Sequence, residues 1–137
     1  MRLYAIISAS GVSWSKPALL AVRGTRVGAD FPKVAAGPRP GDFGVAWEDD
    51  GNGGRAWNVW YRATVNRGGS WTPAIRVSGR GSGAHYKTRS GFRFPYGDYF
   101  GMTVDSRGTS YLTWREGNSY DGPGNTWLAH NHPHQPA

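Results

Sequence analysis

The side chains best equipped for chemistry in this 137-residue chain crowd into one segment, residues 79 to 98. Arg80, Lys87, Arg89 and Arg93 could hold a carboxylate there, the arginines with a two-pronged grip. Tyr86, Phe92, Phe94 and Tyr96 lie in the same segment and could stack on a sugar ring. The plainer reading is a solvated loop whose aromatics pin it to its scaffold. Long loops on a rigid scaffold are where binding residues concentrate. A second cluster, Glu48-Asp49-Asp50-Gly51-Asn52-Gly53, offers hard oxygen ligands for calcium. It lacks the spacing and downstream Glu of an EF-hand and reads as an acidic turn. His130, His132 and His134 alternate as a transition-metal chelate would. They lie against Pro133 in a terminal stretch, which reads as a disordered tail over 131–137. No metal or other cofactor is expected.

Composition narrows the partners. The net charge is +7, and most of the 16 basic residues are Arg, which favours anionic partners. The basic residues are scattered rather than striped, which argues against nucleic acid. The chain has no Cys, so disulfides and thiol chemistry are excluded. No apolar run reaches membrane-spanning length, and the five apolar residues after Arg2 are too few for a signal peptide.

These side chains need elements to position them. The 21 Gly and 9 Pro, set among 7 Trp and 7 Tyr, describe short strands and many turns, and no window carries a helical apolar period. Trp47 and Trp114 stand 67 residues apart, as do Asn58 and Asn125, and Trp60 and Trp127. An ungapped offset of 57 relates Tyr4 to Tyr61, Gly11 to Gly68, Ser13 to Ser70 and Trp14 to Trp71. Strands are predicted at 3–7, 13–22, 32–36, 43–48, 58–65, 71–78, 99–104, 109–115 and 125–129. Repeats of this length with groups of four short strands describe β-propeller blades. The expected fold is all-β, an incomplete ring of about two to three blades. Residues 1–22 form a partial blade, 32–78 a full one and 99–129 a partial one. Closure needs at least four blades, so the chain is expected to be part of a longer protein and marginally stable by itself. Association of several copies is the other route to closure.

The most distinctive stretch is Thr64-Val65-Asn66-Arg67-Gly68-Gly69-Ser70-Trp71. Its Asn can hydrogen-bond the backbone two residues on, its glycines supply unusual dihedrals, and its Trp covers the turn. It resembles the Asp box of bacterial neuraminidase (BNR) repeats. The phrases Asp42 to Asp50, Asn58 to Arg62, Phe94 to Gly101 and Tyr120 to Trp127 are similar to sialidase-like secreted propellers. The likeness runs over roughly residues 13 to 130. The earlier turn departs from it, with Ala9 opposite Asn66 in the ungapped alignment.

The resemblance implies that Thr64, Asn66, Gly68, Ser70 and Trp71 are folding devices on the face away from substrate. It implies that segments 48–57, 79–98 and 116–124 converge on the other face. Sialidases use an Arg clamp for the sialate carboxylate, a Tyr nucleophile with a Glu partner, and an Asp acid/base, an exception to the two-carboxylate rule. Arg89, Arg93 and Arg115 are the substrate-binding candidates. Tyr96, Asp98, Tyr99, Glu116 and Tyr120 are the catalytic candidates, with Glu48 a further partner and Asp121 beside Tyr120; none can be matched to a particular family position. The function so implied is hydrolysis of terminal bonds in sialic-acid-type glycans, in a secreted or cell-surface parent. The other reading is a non-catalytic propeller that binds glycans or proteins.

Overall fold

The computed structural model describes residues 2–21, 29–49, 58–79, 87–88, 91–92, 100–116 and 125–131. Every element among them is a β-strand: β1 (Tyr4–Ala5), β2 (Ala18–Leu19), β3 (Ala29–Ala36), β4 (Phe43–Asp49), β5 (Asn58–Thr64), β6 (Ile75–Arg76), β7 (Lys87–Thr88), β8 (Gly91–Phe92), β9 (Gly101–Val104), β10 (Ser110–Glu116) and β11 (Asn125–Asn131). All pairings are antiparallel. β3 to β6 form a central four-stranded meander, β9 to β11 a three-stranded one, and β1–β2 and β7–β8 are hairpins. No helix of the described residues is long and apolar enough to cross a membrane.

β4 explains the layering. It is buried on both faces, so it lacks the polar–apolar alternation of a half-exposed strand. Alternation of size replaces it. Val45 and Trp47 point to one side, where they pack with Leu20 and, at the margin, Leu3, Ala5, Trp60 and Trp71. Ala46 points to the other side, where it joins Val59, Tyr61, Phe100, Leu112 and Trp114. The central sheet therefore lies between β1–β2 on one side and β9–β11 on the other. Gly44 belongs to the second side; a β-carbon there would run into the Met102 methyl, which would have to swing aside.

Two polar ties cross between layers. Tyr61 Oη and Ser110 Oγ are 2.8 Å apart and buried. Arg62 donates from Nη1 to the carbonyls of Leu19 and Leu20 at 3.4 Å, and from Nε to Thr72 O at 2.6 Å. Burial lowers the Arg62 pKa below its usual value. Burial also raises the Tyr61 phenol, with the Ser110 hydrogen bond pulling it back.

Several element boundaries differ from expectation, four of them with an evident cause. β3 begins at Ala29 rather than Pro32, because a register shift between Asp30 and Lys33, with Phe31 at φ 53°, absorbs the proline that cannot donate to a ladder. β2 and β6 are two-residue strands instead of long ones, since Pro17 and Pro73 precede them. β11 runs on to Asn131, so His130 is strand-bound opposite Tyr111, their rings 6.1 Å apart, and does not belong to a tail.

Candidate functional site

The turns divide the molecule into two ends. At one end lie the β3–β4, β5–β6 and β9–β10 connections and the turn after β1. The Asn66 turn is the most heavily tied. Asn66 Oδ1 accepts from Ser70 N and Thr64 Oγ1, both at 2.9 Å, and Asn66 Nδ2 donates to Ser70 Oγ at 2.8 Å. Thr64 Oγ1 in turn accepts from Gly68 N at 3.0 Å. The backbone bond from the Asn side chain thus spans four residues, not two, because the turn is wide enough to be bridged from its base. Gly68 has φ +77°, and a β-carbon on it would collide with Ile7 of the preceding turn. Trp71 closes the same layer.

The turn after β1 is a shortened copy. Ser8 Oγ accepts from Gly11 N at 2.7 Å, as Thr64 does from Gly68 N. Ser10 Oγ accepts from Val12 N at 3.2 Å and from Ser13 N at 3.5 Å, the place that Asn66 Oδ1 fills for Ser70 N. Ser10, not Ala9, therefore stands in the Asn66 position, and the turn is one residue shorter. The 57 offset holds after the deletion and 56 before it. Ala5 then corresponds to Tyr61, and Tyr4 to Trp60. Ala5 accordingly faces the central sheet, while Tyr4 is exposed.

At the β9–β10 turn, Asp105 Oδ1 accepts from Arg107 N and Thr109 N at 2.9 Å, and Tyr111 Oη donates to Oδ2 at 3.2 Å. The Thr109 bond is the main reason its carboxyl titrates below the usual range. These side chains are spent on the backbone, which leaves this end little free chemistry.

The opposite end, where β4 meets β5 and β10 meets β11, carries Glu48, Asp49 and Glu116. Asp49 is only 3% exposed, and its Oδ2 takes the Trp47 indole N–H at 2.6 Å. Ser78 Oγ donates to Asn58 Oδ1 and accepts from Val59 N, both at 3.0 Å. Glu48 is buried beside them in sequence, opposite Val59. The constellation recurs by register: Trp47 opposes Trp60 and Asp49 opposes Asn58, while Trp114 opposes Trp127 and Glu116 opposes Asn125. The sequence signal for it is Trp-x-acid at 47/49 and 114/116, which the larger Trp spacing masks.

Of the site candidates, Arg115 and Glu116 sit at this end, in the last two positions of β10, with Arg115 half-buried opposite Thr126. Tyr96, Asp98, Tyr99, Tyr120, Asp121, Arg89 and Arg93 lie outside the described residues, as do Asp50 to Trp57. Lys87 and Phe92 belong to the β7–β8 hairpin. Among the described residues, no group of three or more His, Asp or Glu could hold a metal. The chain matches no protein-family model, no curated protein and no solved structure.

Proposed function

We propose that the chain is a section of a sialidase-like β-propeller and that its glycan-facing surface is the end bearing Glu48, Asp49, Arg115 and Glu116. One observation carries this reading. The three main sheets are stacked in sequence order, the second and third share their Trp–Trp and acid–Asn pairs in the same register, and the turns that spend their side chains on the backbone share one end. That frees the other end to carry the chemistry, as the likeness of the Asn66 turn to an Asp box implies. On this reading Arg115 contributes to the grip on a sialate carboxylate. Glu116 and the tyrosines and aspartates of the neighbouring loops supply the acid, base and nucleophile for hydrolysis of a terminal glycosidic bond. The reading carries with it a secreted or cell-surface setting.

A second reading has its own support. Asp49 is committed to the Trp47 indole, and a buried carboxylate held that way braces a strand end rather than reacting. A non-catalytic propeller that binds glycans or a protein partner needs only that rigid frame. Incubation with a fluorogenic sialoside separates the two. Hydrolysis that is lost in Arg115→Ala, with the melting temperature retained, supports the enzyme. Retention on sialylated glycans without turnover supports the binder. Folded protein that neither turns over nor binds a sialoside refutes both.

A further inference from the structure

What the turn end keeps free is positive charge. Two carboxylates lie there among the described residues, and both are engaged within their own turns. Asp42 is buried, 3.1 Å from Arg39 Nε, and Asp105 accepts from two backbone amides and the Tyr111 hydroxyl. The arginines of the same turns face outward. The Arg39 side chain is 72% exposed although its Nε is held, and Arg67 and Arg107 are exposed. Far apart in sequence, the three share one end because they belong to the β3–β4, β5–β6 and β9–β10 connections. Turns at the end of a stack stay open whichever sheets lie before or after it, so this surface does not depend on where the stack stops.

Arg67 is the informative member. It holds φ 59°, a left-handed conformation that Gly or Asn adopts more readily than Arg. Its amide donates to Gly41 O at 3.0 Å, and its aliphatic stem crosses Gly41 so closely that a β-carbon there would strike it. Gly41 adjoins Asp42, which holds Arg39. Arginines from two neighbouring turns are thus steered to one corner, one by an ion pair and one by a cleared glycine. A side chain kept on a costly backbone conformation points to a use for that side chain. β3 and β9 pack against each other, so the β9–β10 turn with Arg107 lies one layer away, about 10 Å.

We propose that Arg67, Arg39 and Arg107 form a track along the turn end for a linear anionic polysaccharide that bears carboxylate or sulfate groups. A guanidinium fork offers paired N–H donors to such oxyanions. Charges about a layer apart suit a polymer with anionic groups at regular intervals. A peptide would need a sheet edge or side-chain pockets, whereas the turn amides of Gly68, Ser70, Arg107 and Thr109 are already bonded. A single-stranded nucleic acid would need aromatic platforms, and residues 37–42, 65–70 and 105–109 contain no aromatic. The track lies at the far end from Arg115 and goes beyond the proposed function: it requires the stacked sheets but no hydrolysis.

The test is binding of the full chain to heparin, which is sulfated, and to polygalacturonate, which carries carboxylates alone, by calorimetry at about 0.15 M salt. Wild-type protein is expected to bind, and to release the polymer as salt rises. Heparin alone assigns the track to sulfate; both polymers assign it to carboxylate as well. Arg67→Asn, Arg39→Gln and Arg107→Gln are each expected to weaken binding roughly threefold to fivefold. Melting temperatures should hold, because Asn tolerates the left-handed turn and Gln can still donate to Asp42. Arg107→Gln is the safest for the fold, since its turn uses only the Arg107 amide. Arg76→Ala, which removes an exposed charge from β6, is expected to leave affinity unchanged. Failure to bind either polymer overturns the proposal, as does undiminished binding by the triple variant. An equal loss in Arg76→Ala also overturns it, because net charge alone then attracts the polymer. Polyglutamate or single-stranded DNA bound as tightly as the polysaccharides overturns the choice of partner. Sialoside binding by a protein that ignores both polymers overturns the track and leaves the proposed function standing.

Discussion

Replacing Asn66 with Ala isolates what one side chain does for the turn end. The substitution deletes the acceptor for Ser70 N and Thr64 Oγ1 and the donor to Ser70 Oγ, three hydrogen bonds in all. A net hydrogen bond contributes roughly 0.5–1.5 kcal/mol, and the lower half of that range applies because two of these three are solvent-exposed. Thr64 Oγ1 still accepts from Gly68 N, so the turn keeps one tie. The expected loss is about 2 kcal/mol, which for a chain of this length lowers the melting temperature by roughly 6–10 °C. Asn66→Asp is the informative companion. A carboxylate accepts the same two bonds, and the Ser70 hydroxyl can turn to donate a third. Near neutral pH that variant is expected to melt within a few degrees of the parent. Its stability acquires an acid limb. The donors lower the folded-state pKa, so the contribution is present above the unfolded value of about 3.9 and is lost as pH falls through the folded value. The assay is a thermal melt by circular dichroism at several pH values, with exposed Val65→Ala as the control. The reasoning is refuted if Asn66→Ala and Val65→Ala melt together, or if Asn66→Asp is destabilised at neutral pH as much as Asn66→Ala.

Two further perturbations probe the layers and the β9–β10 turn. Tyr61→Phe removes the hydroxyl that meets Ser110 across the sheets and is expected to cost about 1–2 kcal/mol in urea unfolding. The double variant with Ser110→Ala should cost less than the sum of the singles, and strict additivity would show that the pair contributes nothing jointly. Asp105 has a depressed folded pKa, so its contribution is fully present above its unfolded value and fades as pH falls through the folded one. Asp105→Asn should therefore flatten the loss of melting temperature on acidification below about pH 4; parallel curves for the two proteins would contradict this.

How much of this was legible in the amino-acid sequence can be judged residue by residue. The all-β character and the central meander were readable because glycine- and proline-bearing turns punctuate strands rich in Trp, Tyr and Val. The 67-residue spacing reappears as strand register, Trp47 against Trp60 and Trp114 against Trp127. The facing of β1 was not readable. A one-residue deletion in the turn after it moves Tyr4 from the Tyr61 position to the Trp60 position, and an ungapped comparison cannot see a deletion whose partner residues are all serine. The bulge at Phe31 and Pro32 was hidden for a related reason, since a proline normally marks a strand's start. The Trp47–Asp49 pair was hidden because an acid two residues from a Trp looks like the beginning of an acidic loop.

The size alternation along β4 ties these points together. Ala46 is fully buried although it is small, and Trp114 of the next sheet belongs to the same buried cluster. Sheets that pack face to face lie about 10 Å apart, so a Trp on one requires a small residue opposite it on the other. Val45-Ala46-Trp47 and Leu112-Thr113-Trp114 each place a small residue beside a Trp, one facing forward and one facing back. The two sheets that carry this triplet each place a small residue ahead and a Trp behind. Ala46→Leu should then do more harm than its gain in apolar area suggests, because it fills the slot that Trp114 occupies. Thr113→Leu, at the matching but exposed position, should leave the melting temperature nearly unchanged, and equal losses in the two variants would refute this rule.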